Sequence, residues 1–179
     1  MTADTASEPV LTGARVTLRP ATATDAGLLS AAIATDETTS PWWGTDPDKV
    51  RRWLTEDGSH VFAIVFADTL AGVIMYTEEN DPDYRFAAID IAVLSPYSGR
   101  GLGPDALRTL ARYLFETRGH HRIQIDPTAK NARAIRAYAK VGFQPVGILR
   151  RYEKSPDGEW RDGLLMDLLA EDLTGEFSE

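Results

Sequence analysis

The chain has 179 residues, a length typical of one folded domain, and its hydrophobic (43%) and charged (26%) fractions are those of an ordinary globular protein. It contains no cysteine, which excludes disulfides, thiolate metal sites and a cysteine nucleophile; its three histidines lack metal-ligand spacing, so no metal is expected. A formal charge of −8 argues against nucleic-acid binding, and no apolar run approaches the roughly 20 residues that span a bilayer. We therefore expect a cytoplasmic protein without nucleic-acid or membrane partners, better suited to a cationic ligand.

The first half of the chain predicts short helices followed by an antiparallel meander. Residues 1–9 and 174–179 are polar and aperiodic, and we expect them to be disordered tails around a single domain at 10–173. The predicted elements are a strand at 15–19, a helix from a Thr24-Asp25 cap to about 34, the irregular aromatic segment Ser40-Pro41-Trp42-Trp43-Gly44, a helix at 49–56, and strands at 60–67, 70–77 and 84–94.

The second half alternates helices and strands. The predicted elements are a helix at 103–117, a strand at 122–126, a helix at 131–141, and a hairpin of strands at 143–152 and 159–169. The resulting order, βααβββαβαββ, indicates an α/β (α+β) fold in which helices flank a mixed, mostly antiparallel sheet.

A glycine-rich turn, Ser98-Gly99-Arg100-Gly101-Leu102-Gly103, separates the strand at 84–94 from the helix at 103–117. Its glycines allow a tight turn that aims backbone N–H groups at an anion, and the helix macrodipole and Arg100 add positive potential. Three antiparallel strands precede the turn, which argues against a dinucleotide-binding fold, and no Gly-Lys-Ser/Thr follows to form a nucleotide-hydrolase loop. The pattern indicates a site for a phosphate-bearing cofactor; a glycine-rich connector without a ligand is the alternative.

Two motifs resemble the Gcn5-related N-acetyltransferase (GNAT) superfamily. They are Arg100-Gly101-Leu102-Gly103 and, more diagnostic, Asn131-Ala132-Arg133-Ala134-Ile135-Arg136-Ala137-Tyr138-Ala139-Lys140-Val141-Gly142-Phe143. The predicted element order is also that of the family, so the resemblance covers about residues 15–169. It implies a GNAT fold and an enzyme that transfers an acetyl group from acetyl-CoA to a primary amine. Transfer is expected to be direct, since the chain has no cysteine and no apparent Ser-His-acid set.

The resemblance also implies a set of cofactor-binding residues. Gly101 and Gly103 are expected to cradle the pyrophosphate, while main-chain groups of residues 91–94 pair with the pantetheine arm. Tyr138 is expected to be the general acid, because a phenol with a pKa near 10 can protonate a departing thiolate; a packing aromatic is the alternative. The family often has Gln or Arg at the position of Ser98. The whole expected set is Ile91, Ala92, Val93, Leu94, Ser98, Gly99, Arg100, Gly101, Leu102, Gly103, Asn131, Ala134 and Tyr138.

Three further segments resemble the aminoglycoside 6′-N-acetyltransferases, in which similar segments line the acceptor pocket. They are Trp42-Trp43-Gly44, Ile89-Asp90 and Ile123-Gln124-Ile125-Asp126-Pro127. The resemblance implies that Asp90 and Asp126 bind ammonium groups, that Asp90 helps to deprotonate the attacking amine, and that Trp42 and Trp43 contact the acceptor. Carboxylates and aromatic faces suit a polyamine built on sugar rings.

Other assignments stay open from the sequence. Asp126 could cap the chain before Pro127, Asp90 could be an exposed strand residue, and the two tryptophans could be core or dimer contacts. The acidic run at 78–83 reads as a lid over the acceptor or, more simply, as a solvated hairpin tip. The chain also resembles the ribosomal-protein N-terminal acetyltransferases at both ends, so a protein N-terminus or another metabolite amine, such as a siderophore precursor, is an alternative acceptor. A non-catalytic acyl-CoA sensor is the alternative to an enzyme. The sequence also leaves open whether the protein is a monomer or a homodimer and whether it has a role in antibiotic resistance.

Overall fold

The computed structural model describes residues 8–175 as one eight-stranded sheet with helices on both faces. The strands are β1 (Leu11–Thr12), β2 (Thr17–Pro20), β3 (His60–Phe66), β4 (Thr69–Glu79), β5 (Phe86–Val93), β6 (Arg122–Ile125), β7 (Gln144–Lys154) and β8 (Trp160–Leu169). The helices are α1 (Ala23–Thr35), α2 (Ser40–Trp43), α3 (Pro47–Leu54), α4 (Leu102–Glu116) and α5 (Ala132–Val141). The predicted fold class is confirmed.

The predicted element order needs two additions. A two-residue strand, β1, precedes the first predicted strand and pairs with β2. The aromatic segment expected to be irregular instead forms α2, in which Pro41 occupies the first turn, where its missing N–H costs no helical hydrogen bond. The predicted start of the first helix was also wrong. Thr22, not Thr24, caps α1, in a capping box with Asp25.

The strand order is β1-β2-β3-β4-β5-β6-β8-β7. The meander of β3, β4 and β5 is antiparallel, as predicted. The pairing of β5 with β6 is parallel, and α4 provides the connection that such a pair requires. The hairpin of β7 and β8 then completes the sheet through antiparallel pairing of β8 with β6.

Two hydrophobic clusters lie on the two faces of the sheet. On one face, α4 and α5 pack against β4 residues such as Ile74 and Tyr76. On the other face, α1 and α3 pack against the alternate β4 residues Val73 and Met75. The side chains of a strand point alternately to opposite faces, so β4, buried through most of its length, contributes to both clusters.

The N-terminal boundary of the folded unit lies further out than the sequence predicts. Residues 1–7 and 176–179 of the expected tails lie outside the described residues, but Glu8 is held inside the fold. Its carboxylate accepts hydrogen bonds from the hydroxyls of Tyr76 (2.8 Å) and Tyr113 (2.9 Å) and lies 2.7 Å from Nδ1 of His60. At the other end, the N–H of Thr174 donates to the carbonyl of Val141. Contacts with β4, α4 and α5 therefore fix residues that a polar, aperiodic sequence assigns to tails.

We expect Gly142→Ala to lower the free energy of unfolding by about 2–3 kcal/mol. Gly142 ends α5 at φ +116°, and a Cβ there would collide with the carbonyl oxygen of Asp172. The matched control is Gly27→Ala in α1, where a Cβ meets nothing within 4 Å; this change should instead raise stability by about 0.5–1 kcal/mol, because alanine costs less entropy in a helix. Urea unfolding of both variants measures the difference, and equal effects would contradict the assigned constraint at Gly142.

Candidate functional site

A cleft of about 600 Å³ opens where β5 and β6 separate. The two strands pair only at Ala87 with Ile123 and at Ala88 with Gln124, whereas β5 remains paired with β4 as far as Val93. Among the described residues, the edge of 90–93 that faces β6 therefore has no strand partner, and it borders the cleft. Helix α5, the start of α4, the α1–α2 segment (residues 36–43) and the C-terminal end of α3 form its other walls.

The structure brings most of the predicted site residues together in this cleft. Those that line it are Trp42, Trp43, Asp90, Ile91, Ala92, Val93, Ser98, Gly99, Gly101, Gly103, Asp126, Asn131, Ala134 and Tyr138. Leu94, Arg100 and Leu102 do not. The N–H of Leu94 donates to the carbonyl of Ala71, and the side chain of Leu102 is buried in the core.

The glycine turn has the conformation needed to receive an anion. Gly99 and Gly101 have φ of +73° and +79°, which disfavour any residue with a Cβ. Gly101 is the N-cap of the 15-residue helix α4 and offers no capping side chain, so the N–H groups of the first turn are not satisfied by a side-chain cap. Free N–H groups at the positive end of a helix dipole fit a pyrophosphate.

Two arginines besides Arg100 place guanidinium groups at this turn: Arg15 donates to the carbonyl of Arg100, and Arg133 donates to Ser98. The role of Arg100 itself stays a prediction. The Arg100 guanidinium lies over the Phe66 ring, 4.8 Å from its centroid. Arg133 of α5 instead lines the cleft and donates to the hydroxyl of Ser98 at 2.5 Å. Its place in the Asn131-to-Phe143 motif was visible in the sequence, but its contact with Ser98, 35 residues away, was not. Arg133, distant in sequence, thus provides positive charge beside Ser98.

Three carboxylates meet at the acceptor side of the cleft. Asp90 projects from β5, Asp126 follows β6, and Glu153 belongs to β7. Asp126 accepts a hydrogen bond of 2.5 Å from the Tyr152 hydroxyl, and Glu153 accepts one from the Thr128 hydroxyl. Glu153 was missed from the sequence, because nothing local to β7 distinguishes it from the other charged residues of that strand.

The position of Asp90 disfavours its ionised form. Its carboxyl group is open to the cleft but lies deep in the protein, where desolvation, followed by the charges of Asp126 and Glu153, raises its pKa to about 7. Desolvation also raises the pKa of Asp126, partly offset by the Tyr152 hydrogen bond. A carboxylate with a pKa near 7 matches the requirement for a general base at neutral pH.

Tyr138 lies on the wall opposite β5 and is nine-tenths buried. Its ring packs against Phe143, with ring centroids 6.2 Å apart. Burial and the charge of Asp90 raise the pKa of its hydroxyl above the ordinary value, so the phenol keeps its proton at neutral pH. Asn131 caps α5 by accepting a hydrogen bond from the N–H of Ala134, which fixes the helix that presents Tyr138.

Aromatic side chains form the wall across from the carboxylates. Trp43 and Trp53 are in edge contact with centroids 6.1 Å apart, and the guanidinium of Arg161 from β8 lies over Trp42. Trp53 was not predicted as a site residue, although its place in α3, near the paired tryptophans in sequence, was a usable signal.

None of the residues 78–83 lines the cleft, so the structure gives no support to the lid interpretation of this acidic run. Glu78 ends inside the fold, where Arg118 and His120 bind its carboxylate and hold its pKa down at about 2 against desolvation. Asp81 and Asp83 are exposed at a hairpin tip. Elsewhere in residues 8–175, no helix is long and apolar enough to cross a membrane, and no group of three His, Cys, Asp or Glu side chains is arranged to hold a metal.

Comparison with known proteins assigns the family. The acetyltransferase (GNAT) domain family matches residues 15–144. The chain belongs to the GNAT family. It is therefore an acetyl-CoA-dependent N-acetyltransferase, and the glycine turn, with its uncapped helix end and Arg133, fits the phosphates of this cofactor.

Relatives of this GNAT enzyme act on different acceptors. A kanamycin resistance protein of Rhizobium radiobacter is 39% identical over 46% of the chain and 72% of its own length. An aminoglycoside N(6′)-acetyltransferase type 1 of Klebsiella pneumoniae is 38% identical over 46% of the chain but only 39% of its own length. The N-alpha-acetyltransferase RimI of Mycobacterium tuberculosis is 31% identical over 85% of the chain and 88% of its own length. Among solved structures, Mycobacterium smegmatis RimJ in complex with CoA-disulfide has a TM-score of 0.81 and 26% identity, over 93% of this chain and 90% of that one.

With Asp90 as the general base, kcat/KM should rise with pH through about pH 7, because Asp90 must lose its proton to accept one from the amine. Glu153→Gln removes a negative charge that raises the pKa of Asp90, so this acid limb should move to lower pH. The measurement is a pH profile of thiol release with any acceptor that supports turnover. Asp83→Asn removes the same charge at the exposed hairpin tip and should leave the profile in place; an equal shift in both variants would argue against the assignment of Asp90.

Proposed function

We propose that the acceptor of this GNAT enzyme is a small polycationic amine, and that the 6′-amine of an aminoglycoside is the group acetylated. The observation that carries the proposal is the convergence of Asp90, Asp126 and Glu153 in one cleft. Within residues 8–175, none of the three forms an ion pair with a lysine, arginine or histidine.

Asp126 and Glu153 are half-buried, and Asp90 is open to the cleft. Carboxylates grouped in this way repel one another and are stabilised by cations, because an uncompensated charge is costly to desolvate. A ligand with a single ammonium group compensates only one of the three. A ligand with several ammonium groups compensates more of these charges. Only the amine that loses its proton becomes neutral and can attack the thioester. The acceptor side of the cleft is therefore complementary to a polyamine.

The tryptophan wall supports a sugar-based polyamine in particular. Trp43 and Trp53 offer aromatic faces and edges, on which the apolar faces of sugar rings and neighbouring ammonium groups pack favourably. The names of the kanamycin resistance protein and the aminoglycoside N(6′)-acetyltransferase are in agreement with this acceptor.

The proposed reaction is a direct transfer within a ternary complex. Bound acetyl-CoA supplies an acetyl group activated as a thioester. Asp90 takes a proton from the acceptor ammonium, directly or through a water, so that the nitrogen attacks as a neutral amine. The C–N bond forms and the C–S bond breaks, and the Tyr138 hydroxyl gives its proton to the leaving thiolate. The second proton released by the attacking nitrogen returns to the Tyr138 oxygen, so the products are the N-acetylated amine, the CoA thiol and protonated Asp90. Asp126 and Glu153 hold the other ammonium groups, and Tyr152 orients Asp126 through their hydrogen bond.

The residues that hold the cofactor act mainly through the backbone. The N–H groups at the start of α4 and the Arg133 guanidinium are proposed to bind the phosphates. The free edge of residues 91–93 is proposed to pair with the pantetheine arm. The cytoplasmic location and the choice between a monomer and a homodimer stay predictions from the sequence.

Acetylation of a protein N-terminus is the second candidate function. It is favoured by the RimI relative, which matches most of both chains, whereas the aminoglycoside relatives match less than half of this one. A siderophore-precursor amine is a third acceptor, and an acyl-CoA sensor without turnover is the non-enzymatic alternative from the sequence.

The first test of the acceptor is thiol release from acetyl-CoA across kanamycin, spermidine, lysine derivatives and short peptides, with mass spectrometry to locate the acetyl group. We expect kanamycin to be acetylated at its 6′-amine, because the three carboxylates and the tryptophan wall favour a sugar-based polycation. Preferential acetylation of peptide N-termini would contradict the proposal and support the second candidate function.

We expect Tyr138→Phe to lower kcat by about 10²-fold or more, since general acid catalysis typically contributes that much. The ring and its packing against Phe143 are retained, so the Kd for CoA should change little. Steady-state kinetics and calorimetric CoA binding provide the two measurements. An unchanged kcat would exclude Tyr138 as the acid.

A further inference from the structure

Asp36, a residue outside the cleft, is bonded to both halves of the site. It follows α1 as its C-cap, and one carboxylate oxygen, Oδ1, accepts hydrogen bonds from the N–H of Thr38 (2.9 Å), the hydroxyl of Thr38 (2.7 Å) and the N–H of Thr39 (3.1 Å). The other oxygen, Oδ2, accepts one from the N–H of Ser95 at 2.8 Å. One half-buried side chain thus joins two segments that are 59 residues apart.

The two segments have different roles in the site. Thr39 is the N-cap of α2, the helix that carries Trp42 and Trp43 of the acceptor wall. Ser95 begins the 3₁₀ turn Ser95–Tyr97, which leads directly into the glycine turn proposed to bind the cofactor phosphates. Asp36 therefore fixes the start of the tryptophan helix relative to the start of the phosphate turn.

Two weaker contacts run in parallel with Asp36. The hydroxyl of Thr38 lies 3.4 Å from the carbonyl oxygen of Val93, at the end of the free edge of β5. The guanidinium of Arg133, which bonds Ser98 in the phosphate turn, lies 3.5 Å from the carbonyl oxygen of Thr38. All of these contacts meet at Thr38 and Asp36, so a displacement of residues 93–98 bears directly on the α1–α2 segment.

We propose that Asp36 is a positioning residue that couples the cofactor site to the acceptor wall. Cofactor binding at the glycine turn changes the positions of Trp42 and Trp43 through Asp36 and so changes the affinity for the acceptor. Acceptor binding changes the affinity for the cofactor by the same factor, as linkage requires. This inference rests on the proposed roles of the turn and the tryptophan wall, but not on the identity of the acceptor. The Asp36 carboxylate is suited to a constant link, because its hydrogen bonds hold its pKa at about 2 against desolvation and keep it ionised in any assay near neutral pH.

The test uses tryptophan emission during titration with CoA. The reference protein is the full chain with the substitution Trp160→Phe, which removes the exposed tryptophan of β8. It retains Trp42, Trp43 and Trp53, all of which line the cleft. Asp36→Asn is the decisive variant. Its carbonyl oxygen can still accept from Thr38 and Thr39, whereas its NH₂ group faces the N–H of Ser95 as a second donor and cannot replace that bond.

We expect CoA to change the emission of the reference protein. Asp36→Asn should bind CoA with a calorimetric Kd within about threefold of the reference, a difference smaller than the fivefold or more typical of coupled sites, yet lose more than half of the emission change. Asp46→Asn is the matched control, since Asp46 caps α3 through a single hydrogen bond and touches neither segment; it should keep the full response.

A full emission response in folded Asp36→Asn would overturn the proposal, and so would an equal loss in Asp46→Asn. Should Asp36→Asn fail to fold, Thr38→Val removes the hydroxyl contacts with Asp36 and Val93 and should reduce the response in the same way; a full response there would also overturn it. The experiment uses CoA alone. Failure of kanamycin acetylation therefore counts against the proposed acceptor, and an unaltered emission response counts against Asp36.

Discussion

The separation of β5 from β6 is the constraint on which the rest of the site depends. Parallel strands normally continue to pair, but here pairing stops after two residue pairs. The opposite edge of β5 stays bound to β4, helped by Gly72, where a Cβ would collide with the carbonyl oxygen of Ala92. Because β6 is held by β8, the two halves of the sheet diverge and leave unpaired backbone beside the start of α4. The cleft is thus a property of strand pairing, and the side chains that we propose to be catalytic lie around it.

The acceptor side of this cleft is built at a cost to stability. The pKa of Asp90 is raised from an ordinary 3.8 to about 7, so between these values the folded protein binds more protons at this residue than the unfolded chain does. Its contribution to the free energy of unfolding therefore falls as pH rises from about 4 to 7. The salt bridge between Arg19 and Asp25 has the opposite effect, since it holds the pKa of Asp25 far below its usual range and stabilises the fold above that range. The Arg19–Asp25 pair thus stabilises the fold through its charges. The raised pKa of Asp90 instead lowers the free energy of unfolding at neutral pH.

The sequence was sufficient for most of the sheet and helices, because these are encoded locally, although it missed β1 and α2. The backbone half of the cofactor site was predicted from equally local signals. The glycines of the phosphate turn and the run from Asn131 to Phe143 are contiguous, and their neighbours in sequence are also their neighbours in space. Glu153 and Asp36 could not be found in this way. Each acts on a segment that is distant in sequence, and each is one acidic residue among 27. Arg100 shows the same limit, since its place between the glycines could not indicate that its guanidinium lies over the Phe66 ring; its contact with the cofactor stays a prediction.

The distribution of charge explains how a protein of net charge −8 can bind an anionic cofactor and, as we propose, a cationic acceptor in one cleft. Arg133, Arg136 and Lys140 line the cleft from α5, and Arg133 bonds Ser98 of the glycine turn. Asp90, Asp126 and Glu153 enter the cleft from β5, the end of β6 and β7, and Glu56, which follows α3, also lines it. Interactions between exposed charges decay over about 8 Å at physiological ionic strength, so each ligand responds mainly to the groups nearest to it, not to the net charge. Tyr138 belongs to the same helix as the three basic residues, and its hydroxyl is subject to the opposing charges of Asp90 and Arg133. The boundary between the two regions of charge therefore lies at the phenol, the proton donor that we propose for acetyl transfer from the thioester to the amine.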